Sequence, residues 1–258
     1  MSPQQKTGRL YLVPTPLDFG CEVDAGLGAA LPAQTIAIAA GITHWITENA
    51  KSTRAFLKRV GLQQALAAAL QEQRITELPR QVHKKGDHDA GDGFDAKPLL
   101  AAALQGHDVG LVSEAGMPAI ADPGSSVVRA AHTLGIEVVP LVGPISLMLA
   151  LAASGLNGQS FAFVGYLPAD AAGRAQRIRE LEALALRTGQ TQLFIETPYR
   201  NAALLQGLLQ TLKGTTRLAV ACGMTLPQPC VRSGWVADWK QRAHELPLDL
   251  PAVFLIGR

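Results

Sequence analysis

The chain has 258 residues, of which 48% are hydrophobic, 5% aromatic and 17% charged, and its formal net charge is +2. This composition is typical of a globular rather than a disordered chain, and the length allows one large domain or two moderate ones. The near-neutral balance excludes a uniformly basic nucleic-acid-binding surface, so any RNA site must be local.

Cysteine and histidine usage gives no sign of a metal centre. Cys21, Cys222 and Cys230 form no CxxC pair, and the six histidines have no metal-ligand spacing, so we expect neither a structural metal nor a disulfide framework. The N-terminal residues lack the apolar core of a signal peptide, and the longest apolar region, 145–156, is too short to span a bilayer. We therefore expect a soluble, cytoplasmic protein with no membrane partner.

In the first part of the chain, short apolar runs alternate with helical patterns. Strands are predicted at 10–13, 36–39, 44–47, 109–112 and 137–141, and helices at 22–31, 51–60, 95–105, 125–134 and 147–153. Between them, residues 81–93 are polar, rich in glycine and aperiodic, which predicts a mobile loop.

Three of these strands, which end at Val13, Val112 and Leu141, run directly into loops rich in Pro, Gly, Ser and Thr. The carboxyl ends of parallel strands lie at one edge of a sheet, and ligands of open α/β sheets bind at that edge. We therefore expect the three loops to form a ligand cleft. The alternative is that Gly and Pro only punctuate surface connections.

The second part of the chain predicts a different sheet. Gly and Ser at 154–158 mark a domain boundary, so we predict two α/β domains, 1–155 and 156–258. Strands are predicted at 161–164, 191–195, 218–221, 231–235 and 252–256, helices at 170–186 and 201–212, and an amphipathic segment at 237–244. Because several late strands have no helix between them, the C-terminal sheet should be mixed, whereas the N-terminal sheet should be mainly parallel.

Common nucleotide and nucleophile signatures are absent from the sequence. There is no Gly-x-Gly-x-x-Gly fingerprint, no Gly-x-x-x-x-Gly-Lys-Ser/Thr loop and no Gly-x-Ser-x-Gly elbow. A nucleotide phosphate is therefore a poor match. Cys222 ends a predicted strand without a paired His, and we expect a structural or ligand-lining thiol there.

Five strand-end segments stand out by their order along the chain. They are Leu-Val-Pro-Thr-Pro at 12–16, Leu-Val-Ser-Glu-Ala-Gly-Met-Pro at 111–118 with Ala-Asp-Pro-Gly at 121–124, Val-Gly-Pro-Ile-Ser at 142–146, Phe-Val-Gly-Tyr-Leu-Pro at 163–168, and Ile-Glu-Thr-Pro-Tyr-Arg at 195–200. In this order they resemble the motifs of the tetrapyrrole methylase superfamily, and within it most closely the 16S ribosomal RNA cytidine ribose 2′-O-methyltransferases. The resemblance covers essentially the whole chain.

The resemblance implies a two-domain enzyme, commonly a homodimer, that binds S-adenosylmethionine in a cleft between its domains. Carried over by motif, the cofactor-binding residues are Pro16, Ser113, Glu114, Ala115, Met117, Pro118, Ser146, Leu167, Ala221 and Cys222. A ribose hydroxyl acceptor also has to lose its proton. The candidates for this catalytic role are Glu48, His88, Asp89 and Glu196, and the sequence does not choose among them.

The chain departs from the ribosomal RNA branch at three motifs. It has Thr-Glu-Asn-Ala-Lys at 47–51 in place of Ala-Glu-Asp-Thr-Arg, Asp-His-Asp at 87–89 in place of His-Asn-Glu, and Ala-Cys-Gly-Met-Thr-Leu at 221–226 in place of Ala-Arg-Glu-Leu-Thr-Lys. These changes fall on acceptor-side motifs more than on the cofactor loops, so the chain is a divergent member.

The leading hypothesis is an S-adenosylmethionine-dependent methyltransferase that modifies a ribose of ribosomal RNA, with the small ribosomal subunit as partner. Its local cations could meet phosphates: Lys51, Arg54, Lys84, Lys85 and Arg200. Two alternatives stay open. One is methylation of a tetrapyrrole or another small molecule, and the other is a non-catalytic cofactor-binding paralogue.

Overall fold

The computed structural model describes residues 6–17, 26–79, 94–239 and 246–258. They form two compact units, one made of residues up to Pro144 and the other of residues from Ile145 onward. Within the described residues, each unit contains a five-stranded sheet. The predicted α/β class, with a parallel and a mixed sheet, is confirmed.

The first unit has a fully parallel sheet of order β3-β2-β4-β1-β5. Its strands are β1 (Leu10–Val13), β2 (His44–Thr47), β3 (Arg74–Glu77), β4 (Val109–Val112) and β5 (Val138–Pro140). Its helices are α1 (Ala33–Gly41), α2 (Ala50–Gly61), α3 (Ala101–Leu104) and α4 (Ser125–Thr133), with 3₁₀ turns at Leu27–Ala29 and Lys97–Leu100.

The structure differs from the predictions for this unit at three places. Residues 36–39, expected to form a strand, lie inside α1, because a short apolar run fits a buried helix face as well as a strand. The strand β3 was not predicted, because it is a mostly exposed edge strand of polar sequence that exists through its pairing with β2. The predicted helix at 22–31 is a 3₁₀ turn over its described end.

The central strands of the first unit are buried on both faces. All four side-chain positions of β4 are buried, and successive residues point to opposite faces of the sheet. On one face Val112 packs with Trp45 of β2 and Phe56 of α2, whereas on the other face Leu111 packs with Val127 of α4. This double burial fixes the strand ends from which the polar loops emerge.

The second unit has a mixed sheet of order β6-β7-β10-β8-β9, in which only β6 and β7 pair in parallel. Its strands are β6 (Phe161–Tyr166), β7 (Thr191–Glu196), β8 (Arg217–Cys222), β9 (Cys230–Trp235) and β10 (Ala252–Gly257). Its helices are α5 (Ser146–Ser154), α6 (Ala171–Thr188), α7 (Pro198–Thr211) and α8 (Val236–Trp239). The last strand, β10, is wholly buried at the centre.

The helix α5 belongs to the second unit. Its buried residues Leu147, Ala150 and Leu151 pack with Leu193 of β7 and Leu255 of β10. The boundary predicted at 155/156 assigned this helix to the first domain, because the Gly and Ser cluster that follows it reads as a linker. We propose instead that the C-terminal domain starts near residue 145.

In the described part of the chain, no helix is both long enough and apolar enough to cross a bilayer.

Candidate functional site

The loops that follow β1 and β4 are joined by backbone hydrogen bonds. The amide of Thr15 donates to the carbonyl of Gly116 at 2.9 Å, and the amide of Gly116 donates back at 2.7 Å. The hydroxyl of Thr15 also donates to the carbonyl of Ser113 at 3.2 Å. Gly116 has a φ of +79°, which glycine adopts without strain. Two of the three predicted cleft loops therefore form one fixed structure.

The β4 loop holds several residues in the left-handed region. Besides Gly116 and Gly124, Ala119 and Ala121 have φ values of 65° and 64°. A left-handed conformation costs an alanine about 1–2 kcal/mol, and such strain concentrates at ligand clamps and active sites. Such strain fits the ligand-binding role predicted for the 113–124 loop, and nothing in the sequence pattern of alanines signals it.

The start of α2 is attached to the same loop. The Oδ1 of Asn49 caps the helix by accepting from the amide of Lys51 at 2.9 Å and from that of Ser52 at 3.4 Å. Its Nδ2 donates to Oε1 of Glu114 at 2.8 Å. Sequence reasoning missed this residue, although an Asn before a helical pattern is a common N-cap signal.

A pocket of about 190 Å³ lies where these elements meet, at the carboxyl edge of the first sheet. It is lined by Thr15, Pro16, Ser52, Thr53, Ala55, Phe56, Arg59, Val112, Ser113 and Glu114. The lining combines four hydroxyl groups with one carboxylate, one guanidinium and the apolar surface of Phe56 and Val112. Such a pocket suits a ligand with both hydroxyl and apolar portions.

Asp122, near the end of the 113–124 loop, is half-buried. Burial raises its pKa to about 6; a hydrogen bond with Ser113 opposes the rise, and the charge of Glu114 adds to it. Because the folded state favours the protonated carboxyl, Asp122 stabilises the fold only at low pH. That contribution is present below its ordinary pKa of 3.8 and is lost as the pH rises to about 6.

The replacement Asp122→Asn is therefore expected to stabilise the protein at pH 8 by about 1–3 kcal/mol, since the amide keeps the hydrogen-bonding oxygen but never ionises. The gain should shrink by roughly half at pH 5. Urea unfolding of both proteins at the two pH values measures this difference. A gain that is the same at both pH values would contradict the assigned role of Asp122.

The structure brings together part of the predicted cofactor set. In the first unit, Pro16, Ser113 and Glu114 line the pocket, whereas Ala115, Met117 and Pro118 belong to the same loop but not to the pocket wall. In the second unit, Ser146 is exposed at the start of α5, Leu167 is buried after β6, and Ala221 and Cys222 are buried at the end of β8.

Ala221 and Cys222 face opposite sides of the second sheet. Ala221 packs in the cluster that includes α5, and Cys222 packs with Leu167 and Phe194 on the other face. Burial raises the pKa of the Cys222 thiol to about 12, with Cys230 and Asp249 adding to the rise. A thiol that stays protonated is a poor nucleophile, in keeping with the structural or ligand-lining role predicted for it.

The four catalytic candidates are placed differently. Glu196 is buried at the end of β7, where it accepts a hydrogen bond from the amide of Thr197 at 2.8 Å and pairs with Arg200 at 2.8 Å. Glu48 is half-buried at the end of β2, next to the helix cap Asn49. His88 and Asp89 lie outside the described residues. Among the residues with described positions, no group of three His, Cys, Asp or Glu could hold a metal ion.

The fold and the pocket define the class: an α/β protein that presents a polar ligand site at the carboxyl edge of a parallel sheet. The family model of Tetrapyrrole (Corrin/Porphyrin) Methylases matches residues 43–236. The chain belongs to this family, and the resemblance predicted from its motifs is confirmed.

The chain is also similar to individual proteins whose names are known. The chain is 37% identical over 138 residues to ribosomal RNA small subunit methyltransferase I of Vibrio cholerae, covering 54% of this chain and 46% of that protein. It is 34% identical to the protein of the same name from Mesorhizobium japonicum, covering 87% of this chain and 66% of that protein. These matches thus span about half to two thirds of the relatives' length.

Among solved structures, uroporphyrin-III-C-methyltransferase from Thermus thermophilus shares the fold. The TM-score is 0.52 at 20% identity, and the match covers 97% of this chain and 94% of that one.

Proposed function

We propose that this protein is an S-adenosylmethionine-dependent methyltransferase of the cytoplasm, homodimeric, which methylates a ribose 2′-hydroxyl in the RNA of the small ribosomal subunit. One observation carries the proposal. Backbone hydrogen bonds join the loops after β1 and β4, and these loops form the pocket. The relatives of the chain in this family bear the name ribosomal RNA small subunit methyltransferase I.

The residues of the pocket fit one portion of the cofactor. Its hydroxyl groups can bond a ribose or an amino-acid group, the carboxylate of Glu114 tolerates a positive sulfonium, and Phe56 and Val112 offer apolar surface. The volume of about 190 Å³ is below the ~300–1,000 Å³ typical of sites for drug-sized ligands, so it suits a part of the molecule. Ser146, Leu167, Ala221 and Cys222 stay predicted cofactor residues.

When bound, S-adenosylmethionine supplies the activated methyl group, so the protein contributes positioning, exclusion of water and removal of the acceptor proton. We assign the last role to Glu48. It directly follows β2 and precedes Asn49, whose side-chain amide donates to the pocket residue Glu114. Glu196 is held by Arg200 and the Thr197 amide, which suits a positioning role instead.

The direct test is methyl transfer from labelled S-adenosylmethionine to small ribosomal subunits. We expect labelled ribose in the subunit RNA with the wild-type protein, and a rate at least about 100-fold lower with Glu48→Gln, which cannot accept the proton. Calorimetry should give equal cofactor affinity for the two proteins. Absence of transfer by the wild-type protein would overturn the proposed reaction, and full activity of Glu48→Gln would overturn only the role of Glu48.

Charge on α2 favours RNA over a small-molecule acceptor. Lys51, Arg54 and Lys58 are exposed, residues 50–61 contain no acidic side chain, and other residues of the same helix, Ser52, Ala55 and Arg59 among them, line the pocket. Phosphate contacts release counterions, so an RNA acceptor should bind less tightly as salt rises, whereas a small tetrapyrrole held by apolar contacts should not. A KM that is independent of salt, or no transfer to any RNA, would favour the alternatives.

A further inference from the structure

Two exposed tyrosines lie at the same edge of the second sheet. Tyr166 is the last residue of β6 and is 59% exposed, and Tyr199 is in the first turn of α7, directly after β7, and is 83% exposed. Because β6 and β7 pair in parallel, their carboxyl ends lie side by side. The third tyrosine of the chain, Tyr11, is buried.

The backbone holds both tyrosines in fixed positions. The pairing of β6 with β7 shifts register between Phe163 and Tyr166, where Gly165 has a φ of +72°, and Tyr166 pairs with Ile195. Such an irregularity re-aims the side chain that follows it. Tyr199 lies four residues beyond Ile195.

The turn that carries Tyr199 is held by contacts of the buried residue Glu196. Buried Glu196 accepts from the amide of Thr197 and pairs with Arg200 at 2.8 Å, and Pro198 occupies the first helical position. A large aromatic ring is thus presented to solvent on a rigid support. Rigid presentation reduces the entropy lost when a ligand stacks on it.

The other strongly exposed aromatic rings described in this unit lie elsewhere. Phe161 starts β6, and Trp235 ends β9 opposite Arg217, so both are at the amino-terminal edge of β6, β7 and β8. Trp235 is covered by the guanidinium of Arg217 at 4.1 Å. The tyrosine pair instead shares its edge with Leu167 and Cys222, which are predicted cofactor residues.

We propose that Tyr199 and Tyr166 form a stacking platform for unpaired bases of the acceptor RNA. This inference rests on the proposed function and names the part of the substrate that the second unit recognises. Proteins read single-stranded RNA by stacking splayed bases on exposed aromatic side chains, and adjacent Arg groups favour the phosphates that accompany them. Arg200 follows Tyr199 in the sequence, and its partly exposed side chain pairs with Glu196.

The test uses the full-length chain with Tyr199→Ala, Tyr199→Phe and, as matched control, Phe161→Ala on the same sheet at the opposite edge. The probes are small ribosomal subunits in the methyl-transfer assay, and a fluorescent oligocytidylate or an abasic strand of equal length in binding measurements. Tyr199→Ala should raise the KM for subunits and the Kd for oligocytidylate about tenfold, with kcat unchanged. Tyr199→Phe and Phe161→Ala should have the KM and Kd of the wild-type protein. The Kd for the abasic strand should be the same for every variant and for the wild-type protein.

Three outcomes of the binding and sedimentation measurements would overturn the platform. They are a wild-type Kd for oligocytidylate in Tyr199→Ala, an equal loss of affinity for the abasic strand, and a change of molecular mass in sedimentation, which would assign the tyrosines to contacts between copies of the chain. Failure of the proposed function looks different, because the wild-type protein itself would then transfer no methyl group. A wild-type KM in Tyr199→Ala with intact transfer would refute the platform alone.

Discussion

Replacement of Ala55 by tryptophan is expected to weaken the binding of S-adenosylmethionine at least about 100-fold, equivalent to roughly 3 kcal/mol. Ala55 is an exposed residue of α2 that lines the pocket of about 190 Å³. A tryptophan side chain, which has ~150–250 Å² of surface to bury, would occupy that space instead of the ligand. Isothermal titration calorimetry measures the change.

The control for this experiment is Leu62→Trp. Leu62 caps the other end of α2, is 79% exposed and does not line the pocket, so the same ring placed there should leave cofactor affinity unchanged. Both substitutions are at exposed positions and should change the free energy of unfolding by less than about 0.5 kcal/mol. Wild-type affinity in Ala55→Trp would show that the cofactor does not use this pocket.

Replacement of Gly110 by alanine is expected to destabilise the protein by about 3 kcal/mol, because the strand that carries the pocket loop has no room for a methyl group. A Cβ at Gly110 would lie 2.5 Å from Cζ3 of Trp45. Trp45 is 1% exposed, and its Nε1 donates to Oε1 of buried Gln73 at 3.0 Å, so the ring cannot move without losing that bond. Urea unfolding followed by circular dichroism measures the loss.

Gly41→Ala is the matched control. Gly41 ends α1, is exposed, and has no atom within 4 Å of an added Cβ. Alanine favours the helix by up to about 1 kcal/mol over glycine, so this variant should be as stable as the wild-type protein or slightly more so. If Gly110→Ala unfolds at the same urea concentration as Gly41→Ala, the close packing of β4 against Trp45 would be refuted.

The alternation of apolar runs and punctuated loops was sufficient to predict most of the fold. The strands β1 and β4 are continuous apolar runs followed by loops that contain Pro and Gly, a pattern that predicts a buried parallel strand without knowledge of its neighbours. Adjacent late strands likewise predicted the mixed second sheet. The strand prediction for residues 36–39 was wrong because a short apolar segment is equally suited to a buried helix and to a buried strand.

The pocket depended on contacts that no local pattern contains. The sequence of residues 51–60 predicts an amphipathic helix with a solvated basic face. Lys51, Arg54 and Lys58 are indeed exposed. Ser52 and Arg59, by contrast, line the pocket, because Asn49 ties the start of α2 to Glu114, which is distant in sequence. The side of a helix that meets a loop is set by how the elements pack together.

The sequence by itself therefore determined the family, the two α/β sheets and the loops in which the cofactor residues are expected, since these follow from local periodicity and motif order. Only the tertiary structure decided that Thr15 and Gly116 join the loops after β1 and β4, that Asp122 is half-buried in the second of these loops, and that Tyr166 and Tyr199 share one exposed edge. Burial, pKa and exposure depend on neighbours brought from distant parts of the chain, and the three-dimensional packing alone supplies them.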